Sequence, residues 1–413
     1  MDYIINGGNK LRGEIAVYGA KNCALPLLGA SILTDEEVVL HNCPRIVDVE
    51  NMILLLRAMG KKVIWQDNTV CIGGALNTTC APASIAKLLR GSALIMGSAL
   101  AKYGRIELPL PGGCAIGCRP IDIHLSGLEA MGAQVKRERG SVVCNGALKG
   151  ANYAMRFASV GATENLLSAS VLAKGETVLE NCATEPEVEA LGLMLVKMGA
   201  KIENVGQMNL RITGVKNLHG AEFDIIPDRI VTATYLSAAV AATGQITVTN
   251  CRPRHLYAFL RILRERFDLT EYDDAIGISV VSQPSDYGRL VTAPYPFFPT
   301  DIQSLALSLA AMADNGTTVI KETLFENRLQ HNANELNKMN ADIKVVGDKA
   351  IVRGGKLTGA TVKACDLRGG AGLVVAALNA CGTTTVQDVS HIDRGYINLA
   401  DSLKSLGAVI SCN

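Results

Sequence analysis

The run Pro111-Gly112-Gly113-Cys114-Ala115-Ile116-Gly117-Cys118-Arg119-Pro120 places a thiol between glycines and an arginine at a helix start. Glycines let such a loop open and close at little steric cost. The Cys114 thiol offers a proton or a nucleophile, and a neighbouring cation such as Arg119 lowers its pKa toward the working range. Helix starts with guanidinium groups hold anions, so the expected substrate is phosphorylated. Cys118 raises the question of a Cys-x-x-x-Cys metal pair, but no second Cys/His pair stands at ligand spacing, which argues against zinc. His124, on the following helix, reads as a structural hydrogen-bonding histidine rather than a base. Asp301, in Phe298-Pro299-Thr300-Asp301, is the one acid among the helix starts discussed below. Local sequence favours an ordinary first-turn aspartate aligned with the helix dipole, while a carboxylate beside a sugar hydroxyl is a general base.

Composition narrows the setting. With 40 Lys and Arg against 39 Asp and Glu, the net charge is +1, so neither a nucleic-acid binder nor a membrane-surface binder is indicated and any anion site is local. There is no Walker motif and no Gly-x-Gly-x-x-Gly between strand and helix, which leaves phosphate binding to the arginines. The twelve cysteines are scattered singly, mostly in apolar runs, as buried reduced thiols are. No signal-peptide pattern and no bilayer-length apolar run is seen, so a cytoplasmic protein is expected.

The elements that position these residues repeat. Lys21–Thr34, Val38–Cys43 and Val47–Gly60 match Gly161–Lys174, Thr177–Cys182 and Pro186–Gly199: a small-residue apolar helix, a Val/Thr-rich strand, a second helix and a hairpin. Further copies begin near Arg90, Arg229, Asp301 and Arg368, a period of roughly 70 residues where solenoid repeats have about 20 to 50. The first helices, such as Ile302–Ala313, are apolar on nearly every face and must be buried. Ile4–Gly13 resembles the closing phrases Ile351–Gly359 and Leu210–Gly220, so the chain starts with the tail of a unit whose front lies at its C-terminus. One domain is therefore expected from residues 1–20 with 227–413, the other from 21–226. In phase, the first-helix starts carry Lys21, Arg90, Arg229, Asp301 and Arg368, and the second-helix starts carry Arg45, Arg119, Arg252, Arg328 and Arg394. Any one of these could simply cap a turn or form a surface ion pair. Their recurrence in phase argues for anion binding in a cleft between the domains.

Several motifs together resemble the UDP-N-acetylglucosamine 1-carboxyvinyltransferase family. They are Gly19-Ala20-Lys21-Asn22, the Cys114 loop with Arg119-Pro120, Ser159-Val160-Gly161-Ala162-Thr163, Pro227-Asp228-Arg229, Phe298-Pro299-Thr300-Asp301, Phe325-Glu326-Asn327-Arg328, Asp366-Leu367-Arg368 and His391-Ile392-Asp393-Arg394-Gly395-Tyr396. The likeness is colinear over essentially the whole chain. It implies an α/β fold of two inside-out barrel domains, each of three repeats. The implied reaction is enolpyruvyl transfer from phosphoenolpyruvate to the 3′-hydroxyl of UDP-N-acetylglucosamine, the first committed step of peptidoglycan precursor synthesis, with no metal or organic cofactor. By the same resemblance Cys114 is the general acid or thiol nucleophile and Asp301 the general base. Lys21, Arg119 and Arg394 hold the phosphate, and Arg328 with its neighbours the carboxylate or the closed state. Asn22, Arg119, Pro120, Ile121, Asp122, Ile123, Ser159, Val160, Gly161, Asp301 and Leu324 meet the UDP-sugar, with Arg90 and Arg368 as further substrate-binding cations. Gly369 and Gly370 replace the alanine or serine common after Leu-Arg, Phe157 replaces a lysine of some members, and the segment His331–Glu335 is one residue longer than usual. A shikimate-pathway enolpyruvyl transferase and a catalytically idle paralogue that binds the UDP-sugar are the rival readings.

Overall fold

Small apolar residues with high helix propensity form helices that are buried on all sides. All thirteen residues of Arg229–Ala241 and all nine of Gln303–Ala311 are buried, as is nearly all of Leu367–Asn379. The computed structural model describes residues 1–109, 121–138 and 140–413, and of Arg90 the backbone only. These residues divide into two compact units, one from 1–18 and 227–413 and the other from the described part of 19–226. The switch falls between Tyr18 and Gly19, two residues before the boundary read from sequence. Asp228 N donates to Tyr18 O at 2.9 Å within the first unit, and Ala20 N to Ile226 O at 2.7 Å within the second.

In the first unit the three buried helices just named contact one another. Three four-stranded sheets belong with them. One sets Tyr3–Asn6 between Thr383–Gln387 and Val409–Cys412, with Tyr3 opposite Val386 and Cys412, so the first and last strands are neighbours. A second pairs Arg12–Ala16 in parallel with Gln245–Thr249, and the third is centred on Thr317–Lys321 and Lys349–Arg353.

The second unit repeats the plan around Lys21–Ala30, Ile95–Tyr103 and Val160–Ser170, which also contact one another. Two of its helices approach closely at Gly97, where a Cβ would lie 2.0 Å from Asn165 O; only glycine fits. Its sheets have four, four and three strands among the described residues. Strand residues alternate between the helices and solvent: Val38 and Leu40 are buried while Val39 and His41 are partly exposed.

The repeat contains one element more than the sequence pattern suggests. In three sheets a short strand just before a repeat runs parallel to that repeat's first strand; in two the parallel partner is exchanged, Arg12–Ala16 lying beside Gln245–Thr249 and the three-residue Glu222–Asp224 beside Val38–His41. Three-residue strands such as this one carry too little alternation to announce themselves. Of the ten described cysteines five are buried, while Cys80, Cys381 and Cys412 are exposed and Cys71 and Cys365 intermediate. This corrects the expectation of mostly buried thiols: Cys381 and Cys412 sit at a sheet rim and a strand end, where apolar neighbours in sequence do not enclose the side chain.

Candidate active site

In the first unit, Thr300–Ile302 forms a single 3-10 turn leading into Gln303–Ala311. Asp301 Oδ1 lies 3.5 Å from Arg328 Nη2 and 3.6 Å from Arg368 Nε, with both arginines buried and the Asp301 side chain 28% exposed. Arg328 opens the helix Arg328–Lys338, donates through Nη1 to Thr300 O at 2.8 Å and Oγ1 at 2.7 Å, and stacks 4.6 Å over the Phe325 ring. Arg368 is the second residue of Leu367–Asn379, whose N-cap Asp366 accepts from the backbone N of Arg368 at 2.9 Å and of Gly369 at 3.1 Å. Burial works against the Arg368 charge, but Asp301, Tyr396 and Asp228 outweigh it and its pKa is raised. The Tyr396 hydroxyl is itself bonded to Thr234 Oγ1 at 2.8 Å. Arg328 Nε and Arg368 Nη1 are buried and have no hydrogen-bond partner among the described residues. Two guanidiniums therefore converge on one partly exposed carboxylate, an arrangement that suits an anionic ligand next to a base.

In the second unit, Lys21 is the first residue of its helix and its Nζ lies 3.2 Å from Asp48 Oδ2. Asn22 follows it, half-buried. Ser159 caps Val160–Ser170, its Oγ accepting from Ala162 N at 3.4 Å, with Val160 and Gly161 in the first turn. Ile121 is the N-cap of Asp122–Ala130. Asp122 is ion-paired with Arg156, and Ile123 O accepts from Tyr153 Oη at 3.3 Å. His124 is buried, with Nδ1 2.9 Å from Asn165 Nδ2. Because Asn165 Nδ2 also donates to Ala93 O and its Oδ1 accepts from Gly97 N, the amide orientation is fixed and Nδ1 of His124 must accept.

The cations meet the sequence expectation unevenly. Lys21, Arg229 and Arg328 are first residues of helices. Arg90 begins the 3-10 turn Arg90–Leu94. Arg45 and Arg252 stand just before helical turns that begin at Val47 and Pro253. Arg394 is not at a helix start. It lies half-buried in the turn 392–395, and the next helix, Leu399–Ser405, begins five residues on. Asn398 in left-handed backbone delays that helix, so the in-phase placement fails there. Cys114, Cys118, Arg119 and Pro120 lie outside the described residues. Leu324 N donates to Glu322 Oε1 at 2.9 Å.

Two residues absent from the sequence reading stand out: Asp48, the partner of Lys21, and Glu322, the acceptor for Leu324. Asp48 had a faint signal, an acid in the first turn of a second helix in phase with Glu187. Glu322 had none. Gly369 now has a reason, since a Cβ there would lie 2.1 Å from Asn332 Oδ1 and 2.7 Å from Asp366 Oδ2. Among the described residues no cluster of three His, Cys, Asp or Glu is arranged to hold a metal, and no helix is long and apolar enough to cross a membrane.

The family model for EPSP synthase (3-phosphoshikimate 1-carboxyvinyltransferase) matches residues 5–403. A UDP-N-acetylglucosamine 1-carboxyvinyltransferase of Granulibacter bethesdensis is 46% identical over 99% of both chains. The UDP-N-acetylglucosamine 1-carboxyvinyltransferase 2 of Caldanaerobacter subterraneus subsp. tengcongensis is 43% identical over 98% of both. Two solved structures share the fold. The enolpyruvyl transferase NikO from Streptomyces tendae has a TM-score of 0.90 at 24% identity, covering 99% of this chain and 98% of its own. EPSP synthase from Acinetobacter baumannii has a TM-score of 0.75 at 18% identity, with full coverage of both. From the matched family and the end-to-end likeness to these relatives, the chain belongs to the carboxyvinyltransferase family, on its UDP-N-acetylglucosamine 1-carboxyvinyltransferase branch.

Proposed function

We propose that this chain transfers the enolpyruvyl group of phosphoenolpyruvate to the 3′-hydroxyl of UDP-N-acetylglucosamine with release of phosphate. The observation that carries the reading is Asp301 held between the buried Arg328 and Arg368, a base beside anion-binding groups, in a chain nearly half identical to enzymes bearing that name. The sugar oxygen bonds to C2 of phosphoenolpyruvate as Asp301 takes its proton, and the methylene carbon gains a proton from Cys114, giving a tetrahedral ketal. The C2–O bond to phosphate then breaks as a proton leaves the methyl carbon, restoring the double bond. As a thiolate, Cys114 also has the chemistry to add covalently to the substrate. Lys21, Arg119 and Arg394 neutralise the phosphate, while Arg328 and Arg368 neutralise the carboxylate. Asn22, Ile121, Asp122, Ile123, Ser159, Val160, Gly161 and Leu324 line the UDP-sugar, with Arg90 as a further cation. The chain then serves peptidoglycan precursor synthesis in the cytoplasm and is a fosfomycin target.

The test is phosphate release with each substrate alone and with both. The expected result is release only with both, blocked by fosfomycin in the wild type, with Cys114→Ser severely slowed and no longer alkylated and Cys118→Ser unaffected in both respects. Turnover with shikimate 3-phosphate in place of the UDP-sugar would move the chain to the shikimate branch, and binding of the UDP-sugar without turnover would make it an idle paralogue.

A further inference from the structure

Glu322 directly follows the strand Thr317–Lys321 and is 4% exposed. Its carboxylate accepts four hydrogen bonds. Oε1 accepts from Thr292 Oγ1 at 3.1 Å, Leu324 N at 2.9 Å and Phe325 N at 3.3 Å, and Oε2 from Thr300 Oγ1 at 2.8 Å. The three segments it joins are the end of one strand at Thr292, the turn carrying Asp301, and the loop that leads through Leu324 and Phe325 to Arg328. A buried carboxylate with this many donors is a strong, directional anchor.

The proton count along this chain of bonds is fixed by chemistry. An ionised carboxylate has no hydrogen to give, so the Thr300 hydroxyl must donate to Glu322. Its lone pairs are then left to face Arg328 Nη1, 2.7 Å away. Thr292 is oriented the same way: its hydroxyl gives its hydrogen to Glu322 and accepts from Thr323 N at 2.9 Å. Glu322 thus decides which way the Thr300 hydroxyl points, and that hydroxyl, with Thr300 O, holds the guanidinium that lies 3.5 Å from Asp301.

We propose that Glu322 is a positioning residue for the transfer reaction, setting Arg328 and Asp301 through the Thr300 hydroxyl and the Leu324 backbone through its N–H. The inference rests on the proposed roles of Asp301, Leu324 and Arg328. Glu322→Gln keeps the size of the side chain and can keep the Oε1 contacts, but it presents an N–H where Thr300 needs an acceptor. The Thr300 hydroxyl must then accept from both the introduced amide and Arg328 while its own hydrogen has no partner.

The experiment measures kcat and KM for phosphoenolpyruvate, with thermal unfolding in parallel, for Glu322→Gln, Thr300→Val, Thr300→Ser and the Glu322→Gln/Thr300→Val double variant. Expected is a kcat lowered and KM raised to give about 10- to 100-fold lower kcat/KM in Glu322→Gln, the worth of one hydrogen bond to a charged group. Thr300→Val should match it, the double variant should be no worse than either single one, and Thr300→Ser should restore activity. Wild-type kcat/KM in Glu322→Gln, or losses that multiply in the double variant, would overturn the proposal. So would lowered unfolding temperatures with unchanged kcat and KM. If Glu322→Gln does not fold, the Thr300→Val and Thr300→Ser pair decides: equal activity overturns the proposal, loss restored by serine supports it. A wild-type protein that releases no phosphate with both substrates would instead fail the functional reading, independently of these variants.

Discussion

Asp301 Oδ1 stands 3.6 Å from Nε of Arg368, a buried guanidinium in the first turn of a helix. A cation at that end of a helix opposes the dipole, so the contact does more than a surface ion pair does: it supplies the charge that lets Arg368 remain ionised in the interior. Asp301→Asn removes the proposed base and the negative charge beside Arg368 without changing shape. Its kcat should fall by about 10²- to 10⁴-fold. Both variants should lower the unfolding temperature, because Arg368 is left buried without its carboxylate, and Asp301→Ala should do so further because it also removes the polar side chain. Single-turnover kinetics and calorimetry on the two variants separate these effects.

Lys21 and Asp48 form the corresponding pair in the other unit, at 3.2 Å. Lys21→Met should raise KM for phosphoenolpyruvate by about 10-fold or more, the worth of one charge-assisted contact to phosphate. Lys21→Arg should recover only part of it, since a planar fork does not replace a compact ammonium opposite Asp48. Steady-state kinetics with phosphoenolpyruvate varied at saturating UDP-sugar checks both.

Gly369→Ala forces a methyl group into Asn332 Oδ1 and the capping Asp366. The substitution should cost about 1–3 kcal/mol of stability, as overpacking does. It should also reduce activity through Arg368. Urea unfolding monitored by circular dichroism measures the first effect.

His255 is buried among Arg252, Arg254 and Arg229, and burial together with those cations pushes its pKa down to about 4. The unfolded chain titrates near 6.5, so between pH 6.5 and 4 it takes up a proton that the folded protein refuses. Stability tied to this residue is complete above about pH 6.5 and is lost as pH falls toward 4, by roughly 3 kcal/mol in all. His255→Gln should flatten that part of the acid slope in unfolding curves recorded from pH 7 to 4.

The buried thiols should be silent in labelling. Burial pushes Cys43 and Cys182 up to about 12, and Cys144 and Cys251 to about 11. Native-state alkylation at pH 7.5 followed by peptide mapping should spare all four and mark the exposed Cys80, Cys381 and Cys412. An experiment on Cys114 therefore has to resolve individual peptides rather than total thiol content.

By itself the sequence determined the repeated helices and strands, the partnership of the two chain ends, and the residue types that carry the proposed chemistry. All-apolar segments such as Gln303–Ala311 must be buried wherever they lie, and alternation along Val38–His41 states which face is inward. Hydrophobic periodicity is a local record of burial, so it survives without knowledge of the fold. The partners of polar groups leave no such record. That Asp301 meets Arg328 and Arg368, that Glu322 reaches Thr300, and that Lys21 is matched by Asp48 depends on packing between segments far apart in the chain. Arg394 shows the same limit from the other side: its place in the repeat pattern suggested a helix start, and a left-handed Asn398 moved the helix away. Tertiary structure alone decided these pairings, because hydrogen bonds and ion pairs require atoms within about 3 to 4 Å, a distance that strand register and helix packing set and residue order does not.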